Sequence, residues 1–222
     1  MERMRSTDAT QRSGALDEFS RSYWPPLYTF ARSLGHSPHD AEDFVQSFVS
    51  KLLEDESLHS TAPERGQLRT FLRTAFRNHI ADANRAANRQ KRGGGILHIT
   101  IDLTLAERLF SAHDAAVTPD AAFDRQWTHT LLGVCISRLR ETYTARGKAA
   151  LFQELEPHIE GEPGDSSAAI AARLGMSDVA VRTSLKRMRE QFRETLRAEV
   201  ATTLNEGDDV DAELRLLLSL MG

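Results

Sequence analysis

Arg182, Thr183 and Lys186 follow Ser177 at spacings that put them on the exposed side of a helix for which Ser177 is the N-cap. Asp178 and Ala180 fall in the early turns of the same helix. Arginine carries a planar fork of donors that reads a guanine edge in bidentate fashion, while Arg187 and Arg189 are better placed for phosphates. Just upstream, Ala171, Gly175 and Val181 have the small–glycine–aliphatic spacing that lets two helices cross closely. Ser166 to Arg182 therefore reads as a short alanine-rich helix, a turn at Gly175 and a second helix. In a DNA-binding helix-turn-helix, that second helix lies in the major groove. The plain alternative is a helix pair whose arginines form a solvated face. Glycine, cap and basic charge coincide at fixed spacing, which favours DNA binding.

A second basic element is richer still. From Arg65 to Arg92 eight bases face one acid, Asp82, and Arg65, Arg69, Arg73 and Arg77 step by four along one side of a helix. Together with Asn78, Asn84, Asn88, Arg85 and Arg89, this helix offers a surface for a DNA backbone or for the extruded bases of a single strand. Its alternative is a soluble helix decorated with arginine. From Ser37 to Glu56 the balance reverses, with six acids against Lys51. Asp40, Glu42 and Asp43 lie in the first turns of a helix, where carboxylates favour the dipole. Set opposite a full apolar stripe, an acidic face is also how a protein docks on a basic partner.

Catalytic patterns are poor. There is no glycine-rich phosphate loop ending in Lys-Ser/Thr, no His-Glu-x-x-His and no Gly-x-Ser-x-Gly. His36 and His39 flank a helix start with no third ligand in register, so a metal-dependent hydrolase is a weak third class and no metal site is expected. Cys135 lies among Val134, Ile136 and Leu139 and reads as core. No enzyme and no cofactor are implied.

The 222 residues leave room for one to two domains, and 40% hydrophobic with 27% charged residues is a globular profile. The net charge of −4 averages blocks of opposite sign, which point to nucleic acid plus something basic as partners. No apolar run approaches about 18 residues, so no membrane insertion is expected. The polar start shows no secretory signal, and one cysteine excludes an internal disulfide, so a reducing cytoplasm fits.

These side chains need helices to hold them, and nearly every segment has helical periodicity. Leu16 to Leu34 carries Leu16, Phe19, Tyr23, Leu27, Phe30 and Leu34, with Pro25-Pro26 expected to kink or split it. Ser37-Pro38 opens a helix with Ala41, Phe44, Val45, Phe48, Val49, Leu52 and Leu53 on one side. Leu58 to Gly66 reads as a loop. The arginine helix runs from about Gln67 to Arg89 over Leu68, Phe71, Leu72, Ala75, Phe76, Ile80 and Ala83. After Gly93-Gly94-Gly95, the alternation of Leu97, Ile99, Ile101 and Leu103 predicts a partly extended linker. Helices follow near Asp124–Tyr143 and Lys148–Ile159, and a last one uses Val210, Leu214, Leu217, Leu218 and Met221.

Taken together, the chain resembles the extracytoplasmic-function sigma factors, small promoter-recognition subunits of bacterial RNA polymerase. Asp40-Ala41-Glu42-Asp43-Phe44-Val45-Gln46-Ser47-Phe48 is similar to that family's polymerase-docking helix. Phe71-Leu72 with Arg77-Asn78 and Asp82 resembles its helix that melts and reads the −10 element, with phenylalanine in place of the usual tryptophan. Ala169 to Ser177 with Val181-Arg182 resembles its −35 helix-turn-helix. The resemblance covers about Leu16–Arg92 and Asp124–Ala201, its motifs in the family's order.

What it implies is an all-α protein of two helical domains. Residues 1–14 form a tail, 15–92 a region 2-like bundle, 93–122 the linker, 123–204 a region 4-like domain and 205–222 a C-terminal helical extension. The extension, acidic at Asp208, Asp209 and Asp211, would fold back on the basic helix, engage a regulator or complete the second domain's core. Asp40, Glu42, Asp43 and Gln46 would meet core polymerase. Arg65, Arg77, Asn78, Arg85 and Arg89 would meet melted −10 strand, and Ser177, Asp178, Ala180, Arg182, Thr183, Lys186 and Arg187 duplex −35 DNA. An anti-sigma protein or other regulator is a further partner it allows. The runner-up is a stand-alone helix-turn-helix regulator that binds duplex DNA as a dimer and has no use for the Asp40–Gln46 face.

Overall fold

The computed structural model describes residues 23–54, 68–87, 102–111, 117–160 and 164–221. Among these every regular element is a helix and there is no strand, so the all-α class read from periodicity holds. In chain order the helices are α1 (23–33), α2 (Pro38–Glu54), α3 (Leu68–Ala87), α4 (Leu103–Ser111), α5 (Pro119–Ala145), α6 (Ala149–Leu155), α7 (Pro157–Glu160), α8 (Ser167–Leu174), α9 (Asp178–Thr202) and α10 (Val210–Ser219). The chain divides into two compact units, one of residues up to Thr130 with Val200–Gly222, the other of Leu131–Glu199. Both divisions fall within helices, α5 and α9, which lend residues to each unit. The loop 58–66, the glycine triplet and Leu97, Ile99 and Ile101 lie outside the described residues.

In the first unit the apolar stripes of α1, α2 and α3 meet. Among the described residues helix is continuous over 23–33 and takes in Pro25 and Pro26, while Leu16 and Phe19, the stretch the prolines are expected to divide from it, lie outside them. Trp24, Leu27, Tyr28, Phe30 and Ala31 are all buried. Phe30 stands 6.2 Å from Phe76 and 6.1 Å from Phe123, ring centre to ring centre, and Phe48 5.0 Å from Phe76. α2 starts as its sequence predicts. The Asp40 N–H donates to the Ser37 hydroxyl at 3.1 Å, and that hydroxyl donates to the Asp40 carboxylate at 2.7 Å.

Periodicity does not foresee Arg69. It is only 5% exposed, although it begins a row read from the sequence as a basic face. Its Nη1 lies 2.7 Å from Asp124 Oδ1 on α5, and its Nε donates to Glu213 Oε1 on α10 at 3.1 Å. One turn on, Arg73 Nη1 donates to Asp124 Oδ2 at 2.7 Å, and a further turn on Arg77 pairs with Asp120. The Leu68 N–H donates to the Thr203 carbonyl at 2.9 Å, tying the start of α3 to the end of α9. The C-terminal extension therefore does fold back on the basic helix, through Glu213. It packs in the first unit, so it does not complete the core of the second. The buried seam of α10 is Glu213 with Leu217. Leu218 and Met221, expected on its apolar side, are exposed.

Between the arginine helix and α5, the described residues 103–111 are helical and not extended. Leu103, the last residue of the alternating pattern, opens α4 instead, with the Asp102 carboxylate accepting the Leu105 N–H at 3.0 Å. Ala106 is buried, and Glu107 reaches back to α1. It accepts from the Tyr28 hydroxyl at 2.6 Å and from Arg32 Nε and Nη2 at 2.7 and 3.0 Å. A bidentate arginine fork makes a geometrically specific anchor, which an alternating apolar pattern of four residues cannot override.

The second unit has its own core of Leu139, Tyr143, Phe152, Leu155, Ile170, Ala171, Val181 and Met188. The expected helix Lys148–Ile159 is two helices, α6 and α7, parted at Glu156-Pro157, where the proline cannot donate. Cys135 is fully buried, and burial pushes its thiol up to about 12, which suits a core residue.

Both tryptophans, Trp24 and Trp127, lie in the first unit, so their fluorescence follows its unfolding. Arg69→Ala removes the guanidinium from the buried Glu213 and leaves Asp124 to Arg73 alone, and it is expected to cost about 3–5 kcal/mol in urea unfolding. Glu213→Gln keeps an acceptor oxygen for Arg69 and costs less. A loss under about 1 kcal/mol for Arg69→Ala would show that the cluster does not hold the unit together. Glu107 gives a test by pH. Hydrogen bonds from Arg32 hold its carboxyl below its ordinary value, so its contribution is full above that value and is lost as pH falls through the depressed one. The Tm gap between the wild type and Glu107→Gln should be present at pH 7 and close in acid. A gap independent of pH would overturn the assignment.

Candidate nucleic-acid interface

Two surfaces carry the residues singled out by sequence, one in each unit. In the first, α2 presents Asp40 and Asp43 exposed and Glu42 half-buried, while the apolar stripe of Ala41, Val45, Phe48 and Val49 faces the core. Gln46 does not share the open face: it is 7% exposed, and its Nε2 donates to Glu42 Oε1 at 3.1 Å, bracing that carboxylate. Ser47 is half-buried, with its Oγ 2.8 Å from His79 Nε2 on α3. Burial and the nearby Lys51 lower the His79 pKa, so the ring is neutral at pH 7. His36 packs edge-on against Phe44 at 4.9 Å, and His39 lies 3.7 Å from Asp43.

On α3 the sequence placed five DNA-contacting residues, of which Arg65 and Arg89 lie outside the described residues. Arg77, Asn78 and Arg85 are exposed. Arg77 lies over the Phe30 ring at 5.3 Å besides pairing with Asp120, and Arg85 pairs with Asp82. The four-residue row is therefore not a uniform basic face. Its first described member is buried, its next is half-buried and shared with Asp124, and its last is exposed but paired. Sequence reasoning missed Asp120 and Asp124. Their own four-residue step, matching that of Arg73 and Arg77, was the available signal.

In the second unit the two helices around Gly175 are capped and joined as their sequence predicts. The Ser166 hydroxyl caps α8 by accepting the Ala169 N–H at 3.2 Å, and Gly175 ends it in the left-handed region at φ +64°. The Met176 N–H then donates to the Ala171 carbonyl at 3.0 Å, and the Ser177 hydroxyl accepts the Ala180 N–H at 3.2 Å to open α9. Ala171 and Val181 are buried, closing the crossing. The Ser167 hydroxyl donates to Asp178, joining the first residues of the two helices.

Arg182, Thr183, Lys186 and Arg187 are exposed on α9, while Asp178 and Ala180 are half-buried and Ser177 is engaged as the cap. Asp178 Oδ2 also lies 2.7 Å from Arg182 Nη2, an exposed pair one turn apart. Arg189 is turned away, donating to the His158 carbonyl at 3.2 Å. At 100° per residue, Val181 and Met188 define the buried side, and the side diametrically opposite holds Val179, Thr183 and Lys186, with Arg182 flanking it. Val179 is 63% exposed and is not among the residues that the sequence analysis singles out.

Among the described residues no group of three or more His, Cys, Asp or Glu could hold a metal ion, and no helix is long and apolar enough to cross a membrane. No curated protein and no solved structure matches the chain significantly. Residues 19–90, which include the acidic turn of α2 and the exposed Arg77 and Asn78, match the family model described as Sigma-70 region 2. That match, over about a third of the chain, makes this part similar to sigma-70 region 2 and supports a sigma-factor type of role in transcription initiation.

Proposed function

We propose that this protein is a sigma factor of the extracytoplasmic-function kind, which binds core RNA polymerase and directs it to promoters. The observation that carries the reading is the region 2 match over residues 19–90, because it spans both the acidic turn of α2 and the Arg77-Asn78 pair. In this reading Asp40, Glu42 and Asp43 dock on a basic surface of the polymerase, with Gln46 holding Glu42 in place. Asn78, exposed beside Arg77, serves the melted −10 strand, and Arg85 lies along its backbone. The second unit reads duplex −35 DNA with the exposed side of α9. The helix-turn-helix supports this part through its geometry alone, since the family match stops at residue 90. The work is recognition and strand separation, not bond making, and it takes place in the cytoplasm. The open control points are an anti-sigma protein or other regulator.

A pull-down with bacterial core RNA polymerase tests the docking surface. The wild-type chain should be captured, and Asp43→Arg should lose capture by tenfold or more while keeping its Tm, since Asp43 is exposed. No capture of the wild type, with DNA binding intact, would favour a stand-alone duplex-DNA regulator. Arg182→Ala or Lys186→Ala should weaken polymerase binding to a specific promoter by about 1–3 kcal/mol if the side chain meets a base edge. An equal loss on every sequence would instead assign that side chain to phosphate.

A further inference from the structure

The exposed side of α9 holds an apolar group that the fold does not use. Val179 sits in the first turn after the Ser177 cap, opposite the buried Val181 and Met188, and is the most exposed of the large hydrophobic side chains described. It lies one helical turn from both Arg182 and Thr183. The Thr183 hydroxyl donates to the Val179 carbonyl at 2.8 Å. With that hydroxyl turned back to the helix, Thr183 adds its methyl to the surface beside Val179. Arg182 flanks this patch and is oriented by Asp178 at 2.7 Å, itself bonded to Ser167 of α8. The surface is thus a small apolar knob next to a positioned guanidinium, at the N-terminal end of the second helix of a helix-turn-helix. In that motif the first residues of this helix meet base edges.

Only one base edge in the major groove is apolar, the 5-methyl group of thymine, and small aliphatic side chains recognise it by contact. We propose that Val179, with the Thr183 methyl beside it, is a specificity-determining residue that reads a thymine methyl in the duplex bound by α9. Arg182 reads or brackets the neighbouring base pair. The inference rests on the proposed reading of α9 as a duplex-DNA reader and names what that reading leaves open, a base at a position without a hydrogen-bonding side chain.

Deoxyuridine differs from thymidine by that methyl alone, so it isolates the contact. The full-length chain with core RNA polymerase would first select a duplex site from a random library. Each thymine on either strand of the −35-side duplex would then be replaced singly by deoxyuridine. One replacement should weaken wild-type binding about fourfold, the ~0.8 kcal/mol of one buried methyl-sized group. With Val179→Ala and with the more polar Val179→Asn, the thymine and deoxyuridine duplexes should bind equally. Val179 is exposed, so both variants should keep the wild-type Tm and still be captured by polymerase. A selected site at which no replacement weakens wild-type binding overturns the proposal, as does a variant that keeps the fourfold difference. Those results leave the duplex-reading function standing. Failure to select any sequence overturns that function and the proposal with it.

Discussion

The buried guanidinium of Arg69 sets the terms for the first unit. Its carboxylate partners come from α5 and from α10, the latter 144 residues further along the chain. Removing a charge from water costs several kcal/mol, recovered only when partners of opposite sign meet it in good geometry. Such a cluster is weak evidence of extra stability but strong evidence of register. Any arrangement that draws Asp124 or Glu213 away leaves a buried cation, so α5 and α10 have one compatible seat on α3. The Leu68–Thr203 backbone bond reinforces the same seat from the other side. The last helix is thereby a working part of the unit that carries the region 2 match, although the matched residues end far before it.

Reading the chain by periodicity recovers what local physics decides. The cap at Ser37, the cap at Ser177 and the left-handed turn at Gly175 each depend on a few adjacent residues, and each stands where its sequence places it. The stripe Leu68, Leu72, Phe76 and Ile80 is buried as expected. What escapes is structure made by polar groups at long range. An apolar pattern assigns Arg69 and Glu213 to the surface because each is charged, and the two neutralise one another only after the fold has brought them together. Leu103 shows the complementary error. Four alternating residues predict extended chain, but a capping aspartate and the Glu107 fork to Arg32 settle the last of them as helix.

The same division runs through the candidate sites. The α8–α9 helix pair is legible because its glycine, cap and basic residues lie within one short stretch. The four-step arginine row is read too simply because the counter-charges of Arg69, Arg73 and Arg77 are distant in sequence, so among its described members only Arg77 is exposed. On α2 the acidic face is read correctly for Asp40 and Asp43 and too widely for Gln46, whose amide is buried against the carboxylate it supports. A residue type names the chemistry it can do. Only packing says whether it is free to do it.

That distinction orders the basic residues by how readily each can change partners. Arg69 is held in a buried cluster, and exchanging its carboxylates for a phosphate would uncover charges the unit has sealed from water. Arg77 and Arg85 are paired at the surface, where an ion pair contributes roughly 0–1 kcal/mol and is screened by salt. Arg182 is paired with Asp178 in the same exposed manner, so its fork is oriented without being committed. A side chain held in this way loses less freedom when it meets a base or phosphate than an unrestrained one, and it surrenders little to do so. Under the proposed function the affinity for nucleic acid therefore belongs to the exposed, weakly paired arginines. The net charge of a sequence block sums both kinds and cannot tell them apart.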